Sequence, residues 1–481
     1  MSTQAIATGK KDKKYIHYLI TAIIIFGSTF MPQIGPVTPM GWAVLGTFIG
    51  VIYGWTFVDM LWPSILGLVG LGYVVGMSKV LAQSFGSPVM PLIFMVFAFL
   101  PVLKETGLTE VIAKMFMANR LTKGRPWVFI FFYLLGGYVC AQINVFVSMI
   151  LMTGILLDLC KKLGIKPYSP FPAVMLIGLS LSIQLSQILF PFKGSGITLA
   201  AAYSAMTGEM PNFVQYTGYI LPMGIVLLIA YTLVCRFIFR VDVTPLKNIT
   251  EETFGGKSKL TQDQKYGLFF LVFLIFMMMS TSILPKGLLI TQFLTKITVF
   301  GQAAIVILLC MLVKRPDGTR FFDFGKYAAR GMDWGSVFMV AFILPVSNFL
   351  TADETGIKEL LSMILKPLTQ FSPVVFIVIA MLFAALVTNF ANNVILSIVI
   401  LPVMVTFAGQ MGLPPLSMAC LLFVGTQLAL FTPGASVCSG MAFAQTEWVK
   451  APMMMRYGLI AVIVLLAIFL IIGIPFAFMI F

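Results

Sequence analysis

The chain has 481 residues, 59% of them apolar (Ala, Val, Ile, Leu, Met, Phe, Trp, Tyr, Cys) and only 10% charged, with a mean hydropathy of +1.01; soluble proteins carry about 45–50% apolar and about 25% charged residues. A water-soluble enzyme is excluded, and continuous apolar runs such as Leu19 to Phe26 and Ile460 to Ile474 exclude the alternating segments of an outer-membrane barrel. The net charge of +14 arises from Lys and Arg in short loops beside apolar runs, where they orient a membrane protein rather than bind nucleic acid.

In chain order, a polar tail at 1–14 carries Lys10, Lys11, Lys13 and Lys14. No small-residue cleavage site follows the first apolar run, so that run is retained as a helix and the N-terminus is cytoplasmic. Spans are predicted near 15–33, 38–55, 59–77, 87–104, 170–206 and 212–239, and then near 263–284, 290–313, 332–350, 415–446 and 452–479. Two further apolar blocks, about 126–160 and 371–407, are too long for one pass. Gln142 and Asn144 interrupt the first, and Asn389, Asn392 and Asn393 the second, so each reads as a re-entrant hairpin.

The predicted class is therefore all-α integral membrane, with about 11 transmembrane helices plus two re-entrant hairpins. The ends assigned to the cytoplasm are rich in Lys and Arg (Lys161, Lys162, Arg236, Arg240, Lys314, Arg315), and the other face is sparse (Lys79, Lys286, Lys358, Lys366). The first hairpin then opens from the cytoplasm and the second from outside, and an odd number of passes leaves the C-terminus extracytoplasmic. Segments 108–120, 316–331 and 354–366 read as amphipathic helices at the interfaces. Cys140, Cys160, Cys235, Cys310, Cys420 and Cys438 lie in apolar stretches without CxxC or Cys/His spacing, and His17 is the single histidine. No disulfide framework and no structural metal is expected.

An internal repeat organises the chain. Phe94 to Val102 reads FMVFAFLPV and Phe338 to Val346 reads FMVAFILPV, and Glu105-Thr106-Gly107-Leu108 returns as Glu354-Thr355-Gly356-Ile357, an offset of 249. Carried forward, this offset superposes Asn144-Val145 and Ser148 on Asn393-Val394 and Ser397. Five passes separate the two hairpins, so the halves run in opposite directions, an arrangement that places substrate at the midplane between discontinuous helices. The plan is a tail at 1–14, a first repeat at 15–240, a linker at 241–261 and a second repeat at 262–481.

Two predicted spans are broken midway, by Phe190-Pro191-Phe192-Lys193-Gly194-Ser195-Gly196 and by Phe431-Thr432-Pro433-Gly434-Ala435-Ser436. Unwound backbone at membrane depth is tolerated where it is buried in protein or lines a water-filled cavity. Its carbonyls can hold a cation, and the new helix N-terminus suits an anion. A single intramembrane Asn is ordinarily glue between helices; a repeat-related pair, each at a hairpin tip, reads as ligand-binding, since an amide donates to a carboxylate and offers a carbonyl to a cation.

These residues resemble the divalent-anion/sodium symporters of the ion transporter superfamily, which carry Ser-Asn-Thr at each hairpin tip and a following run ending in Leu-Pro. Ile143-Asn144-Val145 and Asn392-Asn393-Val394 stand at those positions, with Leu401-Pro402 after the second. Thr388-Asn389-Phe390-Ala391 is similar to the entry to the second hairpin, and Leu103 to Leu108 to the end of the fourth helix. The resemblance implies a homodimer and one sodium ion per half. It places Na+ at Thr388, Ala391, Asn393 and Phe431 in the second half. In the first half Val139 and Ile143 occupy the mirror positions, and their side chains offer no oxygen to a hard cation.

Lys193 stands in the first break, and an intramembrane lysine is costly and marks a functional site by default. Three roles are open to it: a fixed or titratable charge replacing the missing sodium, a direct partner for a substrate carboxylate, or a side chain that reaches an interface. The candidate substrate set is Gln142, Asn144, Ser148, Lys193, Ser195, Asn392, Asn393, Val394, Ser397, Thr432 and Pro433, with Ser436 as a further donor; the side chains of Val145 and Val394 cannot hydrogen-bond a carboxylate.

The expected protein is a multi-pass secondary active transporter of small organic anions, di- or tricarboxylate-like, in the cell (inner) membrane. It works by cation-coupled symport, with Na+ through the one surviving site, and by elevator-type alternating access. A sodium-independent exchanger or proton-coupled symporter is the alternative. A channel would show a polar stripe along pore helices, and an enzyme a nucleophile or metal motif such as HExxH or GxSxG, and neither is found. The partners implied are the anion, the coupling cation, the lipid bilayer and a second copy of the chain.

Overall fold

The structure, a computed structural model, describes residues 14–248, 260–367 and 372–481. Nearly all of the expected N-terminal tail, the middle of the linker and the first residue of the second hairpin block lie outside the described residues. Among these there is no strand beyond two isolated bridges, Ile34 with Val37 and Lys314 with Arg320.

In the first half the helices are α1 (Lys14–Gly27), α2 (Pro39–Phe57), α3 (Leu61–Val75), α4 (Met77–Gln83), α5 (Val89–Glu105), α6 (Leu108–Met117), α7 (Pro126–Cys140), α8 (Val145–Lys162), α9 (Pro170–Gln187), α10 (Gly194–Thr207) and α11 (Phe213–Phe237). In the second they are α12 (Gln262–Ile283), α13 (Leu289–Lys296), α14 (Thr298–Leu312), α15 (Phe324–Gly331), α16 (Trp334–Leu350), α17 (Ile357–Leu365), α18 (Pro373–Val387), α19 (Asn393–Met411), α20 (Pro415–Thr426), α21 (Val437–Phe443), α22 (Ala451–Ile468) and α23 (Ile474–Ile480).

The order repeats element for element from α5 and α16 onward. Proline sits in the first turn of α7, α9, α18 and α20, where its missing N–H costs nothing and its φ is already helical. Each expected hairpin is a pair of helices, α7–α8 and α18–α19, with a short non-helical tip at 141–144 and 388–392. The spans expected at 170–206 and 415–446 are each two helices, α9–α10 and α20–α21, around a break.

By length and composition six described helical segments can each cross a membrane alone, the last running through α22 and α23, and up to nine if α5–α6 (bent by 65°), α13–α14 (bent by 101°) and α15–α16 each count as one span. The first and third expected spans appear as the shorter apolar helices α1 and α3.

The chain forms two compact units that do not follow the repeat. Of the described residues, one comprises 14–86 with 334–360, the other 87–248, 260–333, 361–367 and 372–481. In the first unit α16 packs on α2 and α3. A Cβ on Gly67 would meet the ring of Phe342, and Trp55 stands edge-on to that ring at 5.9 Å. Thr38 at the start of α2 bonds Thr355 O through its N–H (3.1 Å) and Oγ1 (3.3 Å).

In the second unit the repeat partner of α16, α5, packs on α12, α14 and α15, and Gln264 Nε2 in α12 donates to Thr106 O at 3.1 Å. The two Glu-Thr-Gly turns adopt the same conformation, with Gly107 at φ +68° and Gly356 at +67°, a region that favours glycine. Each half therefore contributes its motif helix to a layer whose other helices come from the opposite half.

Candidate functional site: hairpin tips and broken helices

All the candidate site residues fall in the second unit. At the second tip, Asn389 is fully buried and saturated. Its Nδ2 donates to Ala385 O (2.8 Å) and Leu428 O (2.9 Å), and its Oδ1 accepts from the N–H groups of Leu430 (2.8 Å) and Phe431 (2.9 Å). Three of those four partners belong to the non-helical stretch after α20, so one side chain supplies the hydrogen bonds that unwinding took away. Thr432 Oγ1 returns a hydrogen bond to Asn389 O. Thr388 Oγ1 donates to Thr426 O at 2.8 Å, and Ser397 Oγ lies 2.6 Å from Thr426 Oγ1.

A buried amide cluster continues from there. Asn393 Nδ2 donates to Gln427 Oε1 (2.8 Å) and to Gln184 Oε1 (3.3 Å) in α9. Gln184 Nε2 passes on to Ser180 Oγ (2.9 Å) and Ala429 O (3.1 Å). Ser180 Oγ lies 3.1 Å from Ser439 Oγ, and Ser436 caps α21 by accepting from Ser439 N at 3.0 Å. The second tip and both broken helices are thus joined by one chain of satisfied polar groups, the condition under which a buried network rigidifies rather than destabilises.

The first tip is built differently. Asn144 caps α8, its Oδ1 accepting from Val147 N at 2.9 Å, the ordinary use of Asn at a helix start. Asn392 has that role on α19, accepting from Val394 N (3.0 Å) and Ile395 N (3.3 Å). Capping therefore falls on Asn144 and Asn392, whereas Asn393, one residue on, is turned into the amide cluster.

Gln142 Nε2 donates to Ser186 O and Oγ, both at 2.7 Å, and Ser186 Oγ to Tyr138 O at 2.6 Å. Lys193 occupies the N-cap position of α10 and is 8% exposed. Its Nζ ends inside the protein, 3.4 Å from Gln142 Oε1, and it joins no salt bridge among the described residues. Ser148 Oγ is buried without a partner, whereas its repeat mate Ser397 donates to Asn393 O at 2.9 Å.

A cleft of about 660 Å³ lies elsewhere in this unit, bordered by Thr207, Glu209, Gln215, Thr281 and Pro414, and contains none of the tip residues. No group of three or more His, Cys, Asp or Glu that would hold a metal occurs among the described residues.

The sequence matches the family described as CitMHS, citrate transporter, over residues 19–425. The chain belongs to this family. Solved structures with the same fold include the YdaH transporter of Alcanivorax borkumensis, at 12% identity and a TM-score of 0.56, covering 85% of this chain and 89% of that one. MtrF of Neisseria gonorrhoeae, described within a class of antimetabolite efflux pumps, aligns at 14% identity and a TM-score of 0.56, covering 82% and 84%. No curated protein matches the sequence. The protein is a multi-pass membrane transporter and not an enzyme.

In this citrate-family transporter, Thr388, Ala391 and Asn393 lie at or beside the second tip, and Phe431 is tied to that tip through Asn389. Gln142, Asn144 and Lys193 gather at the first tip, while Ser195 Oγ is bonded to Gln187 Oε1 at 3.0 Å. Pro433 is exposed and Val394 half-buried. Sequence reasoning missed Gln184, Gln427, Ser186 and the linking role of Asn389. The signal was present: Gln184 and Gln187 interrupt an otherwise apolar and small-residue helix, and Gln427 stands four residues before the second break.

Proposed function

We propose that this transporter moves a small organic anion, di- or tricarboxylate-like with citrate as the first candidate, by secondary active transport, the anion lying between the hairpin tips and broken helices. The observation that carries the reading is Lys193, a buried lysine in the first break without a counter-charge among the described residues, its Nζ bonded to Gln142 of the first hairpin tip. A membrane-buried lysine costs about 2.5–3.5 kcal/mol on insertion scales, and a carboxylate offsets that cost when it binds. The capped N-termini of α8 and α19 add partial positive charge, and Pro433 and Gly434 leave the second break open on one side.

Coupling is assigned to the second half, with Na+ held by Thr388 Oγ1, the Ala391 and Phe431 carbonyls and Asn393 Oδ1. The inverted repeat supports alternating access by movement of the hairpin-bearing part, in a homodimer with a cytoplasmic N-terminus and extracytoplasmic C-terminus. A second reading is favoured by Val139 and Ile143 beside Lys193: a sodium-independent exchanger or proton-coupled symporter, in which the ammonium replaces an ion.

Thermal stability separates the two, since a ligand that binds only the folded state raises it by mass action. Wild type and Lys193→Thr are compared with citrate, C4 dicarboxylates and monocarboxylates in sodium or potassium. Joint stabilisation of wild type by sodium and a carboxylate supports coupled symport. Stabilisation by carboxylate alone, with sodium mattering only after Lys193 is removed, supports the second reading, and no stabilisation of wild type by any carboxylate refutes both.

A further inference from the structure

The amide cluster at the second tip decides which end of the Asn393 side chain is on offer. Amide oxygen and nitrogen are told apart by their partners. Gln184 Nε2 lies on Ala429 O at 3.1 Å, and Gln427 Nε2 on Phe423 O at 3.1 Å. A backbone carbonyl can only accept, so both glutamines must place their nitrogens there and turn their oxygens to Asn393.

Facing two acceptors, at 2.8 and 3.3 Å, Asn393 must present its NH2 group, and both of its protons are then spent. What remains is Oδ1, which takes one hydrogen bond, from Val394 N at 3.0 Å, and keeps a second lone pair. All three amides are buried, with Gln184 and Gln427 at 0% and Asn393 at 4% exposure, so water does not compete for this arrangement.

We propose that Gln184 and Gln427 are positioning residues that turn Asn393 oxygen-outward and thereby commit it to the coupling cation rather than to the anion. The proposal rests on the cation-coupled reading above. It divides the labour between the halves: the first half holds donors to spare, in the Lys193 Nζ protons beyond the one given to Gln142 Oε1, in Asn144 Nδ2 and in the unpartnered Ser148 Oγ, while the second half offers oxygen. Gln184 comes from the first repeat, and Asn393 and Gln427 from the second, so both halves orient one cation ligand.

The test is a titration of the purified, full-length protein with NaCl against KCl at constant ionic strength, and separately with citrate at saturating sodium, each read as a melting-temperature midpoint. The variants are Gln184→Leu, Gln427→Leu and Gln184→Glu. In its protonated form the last keeps one acceptor for Asn393 and one donor for Ala429 O. Loss of an acceptor frees Asn393 to rotate. The expected result is at least a fivefold rise in the sodium midpoint for either leucine variant, a citrate midpoint within twofold of wild type, and recovery of most of the sodium shift in Gln184→Glu.

Gln427→Leu answers the question if Gln184→Leu does not fold. The assignment is overturned if the citrate midpoint moves while sodium does not, which makes Asn393 an anion ligand, or if neither moves or both move equally, which makes the cluster structural only. Wild type that ignores sodium refutes the coupling reading itself, and does so before any variant is compared.

Discussion

Replacing Asn389 by Leu removes the one side chain that holds the second break to its hairpin. The substitution conserves volume approximately, but it strips partners from Ala385 O, whose helical donor Asn389 N bonds Leu386 O instead, and from Leu428 O, Leu430 N and Phe431 N, which belong to residues 0%, 0%, 1% and 7% exposed. Each buried backbone group left unpaired costs about 1–3 kcal/mol, so four of them cost at least about 4 kcal/mol, a large share of the roughly 5–15 kcal/mol that a folded domain has in hand.

Thr432→Val is the internal standard, because it deletes a single donor to Asn389 O, worth about 1 kcal/mol. With about 2 °C of melting temperature per kcal/mol in a large protein, the expected losses are about 8 °C or more and about 2 °C respectively. Differential scanning fluorimetry in detergent at one fixed scan rate measures both, the fixed rate being needed because membrane proteins commonly unfold irreversibly. Melting of Asn389→Leu no lower than that of Thr432→Val would refute the argument that this side chain replaces the hydrogen bonds of the unwound helix.

Asn144→Asp keeps the cap on α8 but loses the amide donors and adds negative charge, so it should melt within about 2 °C of wild type, since the cap is worth ~1 kcal/mol, and yet lose carboxylate uptake; wild-type uptake would remove Asn144 from the anion site. Gly458→Ala places a Cβ 2.8 Å from both Leu430 O and Phe431 Cα. Since backbone cannot yield as a side-chain tip does, a loss of about 1–3 kcal/mol is expected in the same melting assay, and an unchanged melting temperature would mean that α22 does not lie against the break. Glu105 bonds Arg330 Nη1 and Tyr327 OH, both at 2.8 Å, and Lys326 Nζ at 3.5 Å. Because the carboxylate is partly exposed, Glu105→Gln should cost no more than about 1 kcal/mol, and molar salt, where the Debye length is about 3 Å, should shrink the difference; a larger, salt-independent loss counts against a screened surface cluster.

Much of the plan was legible because the membrane leaves few options for backbone. Apolar blocks too long for one pass and interrupted by Asn marked the hairpins, and Pro with Gly in mid-span marked the breaks, since only buried or cavity-lining backbone tolerates them. The repeat was visible in Glu105-Thr106-Gly107 and Glu354-Thr355-Gly356 because both turns need a glycine at positive φ. What stayed hidden was pairing at a distance. A constant offset equates Asn144 with Asn393, but the capping geometry falls on Asn144 and Asn392, because a helix start can shift by one residue without disturbing the pattern on either side. Gln184 and Gln427 look like ordinary interhelical glue until Asn393 is placed between them, and spacing along the sequence does not carry that information.

The reciprocal packing of the motif helices bears on biogenesis. As the chain emerges from the ribosome, α5 is inserted well before α12 and α14, the helices it packs against, and until they arrive its apolar faces are left to lipid or to insertion factors. The opening helices α2 and α3 wait in turn for α16. Neither half therefore holds a finished scaffold of its own, so a translation product that stops in the linker should be cleared by quality control, whereas the two halves made as separate chains should rebuild the transporter only when they are present in one membrane together.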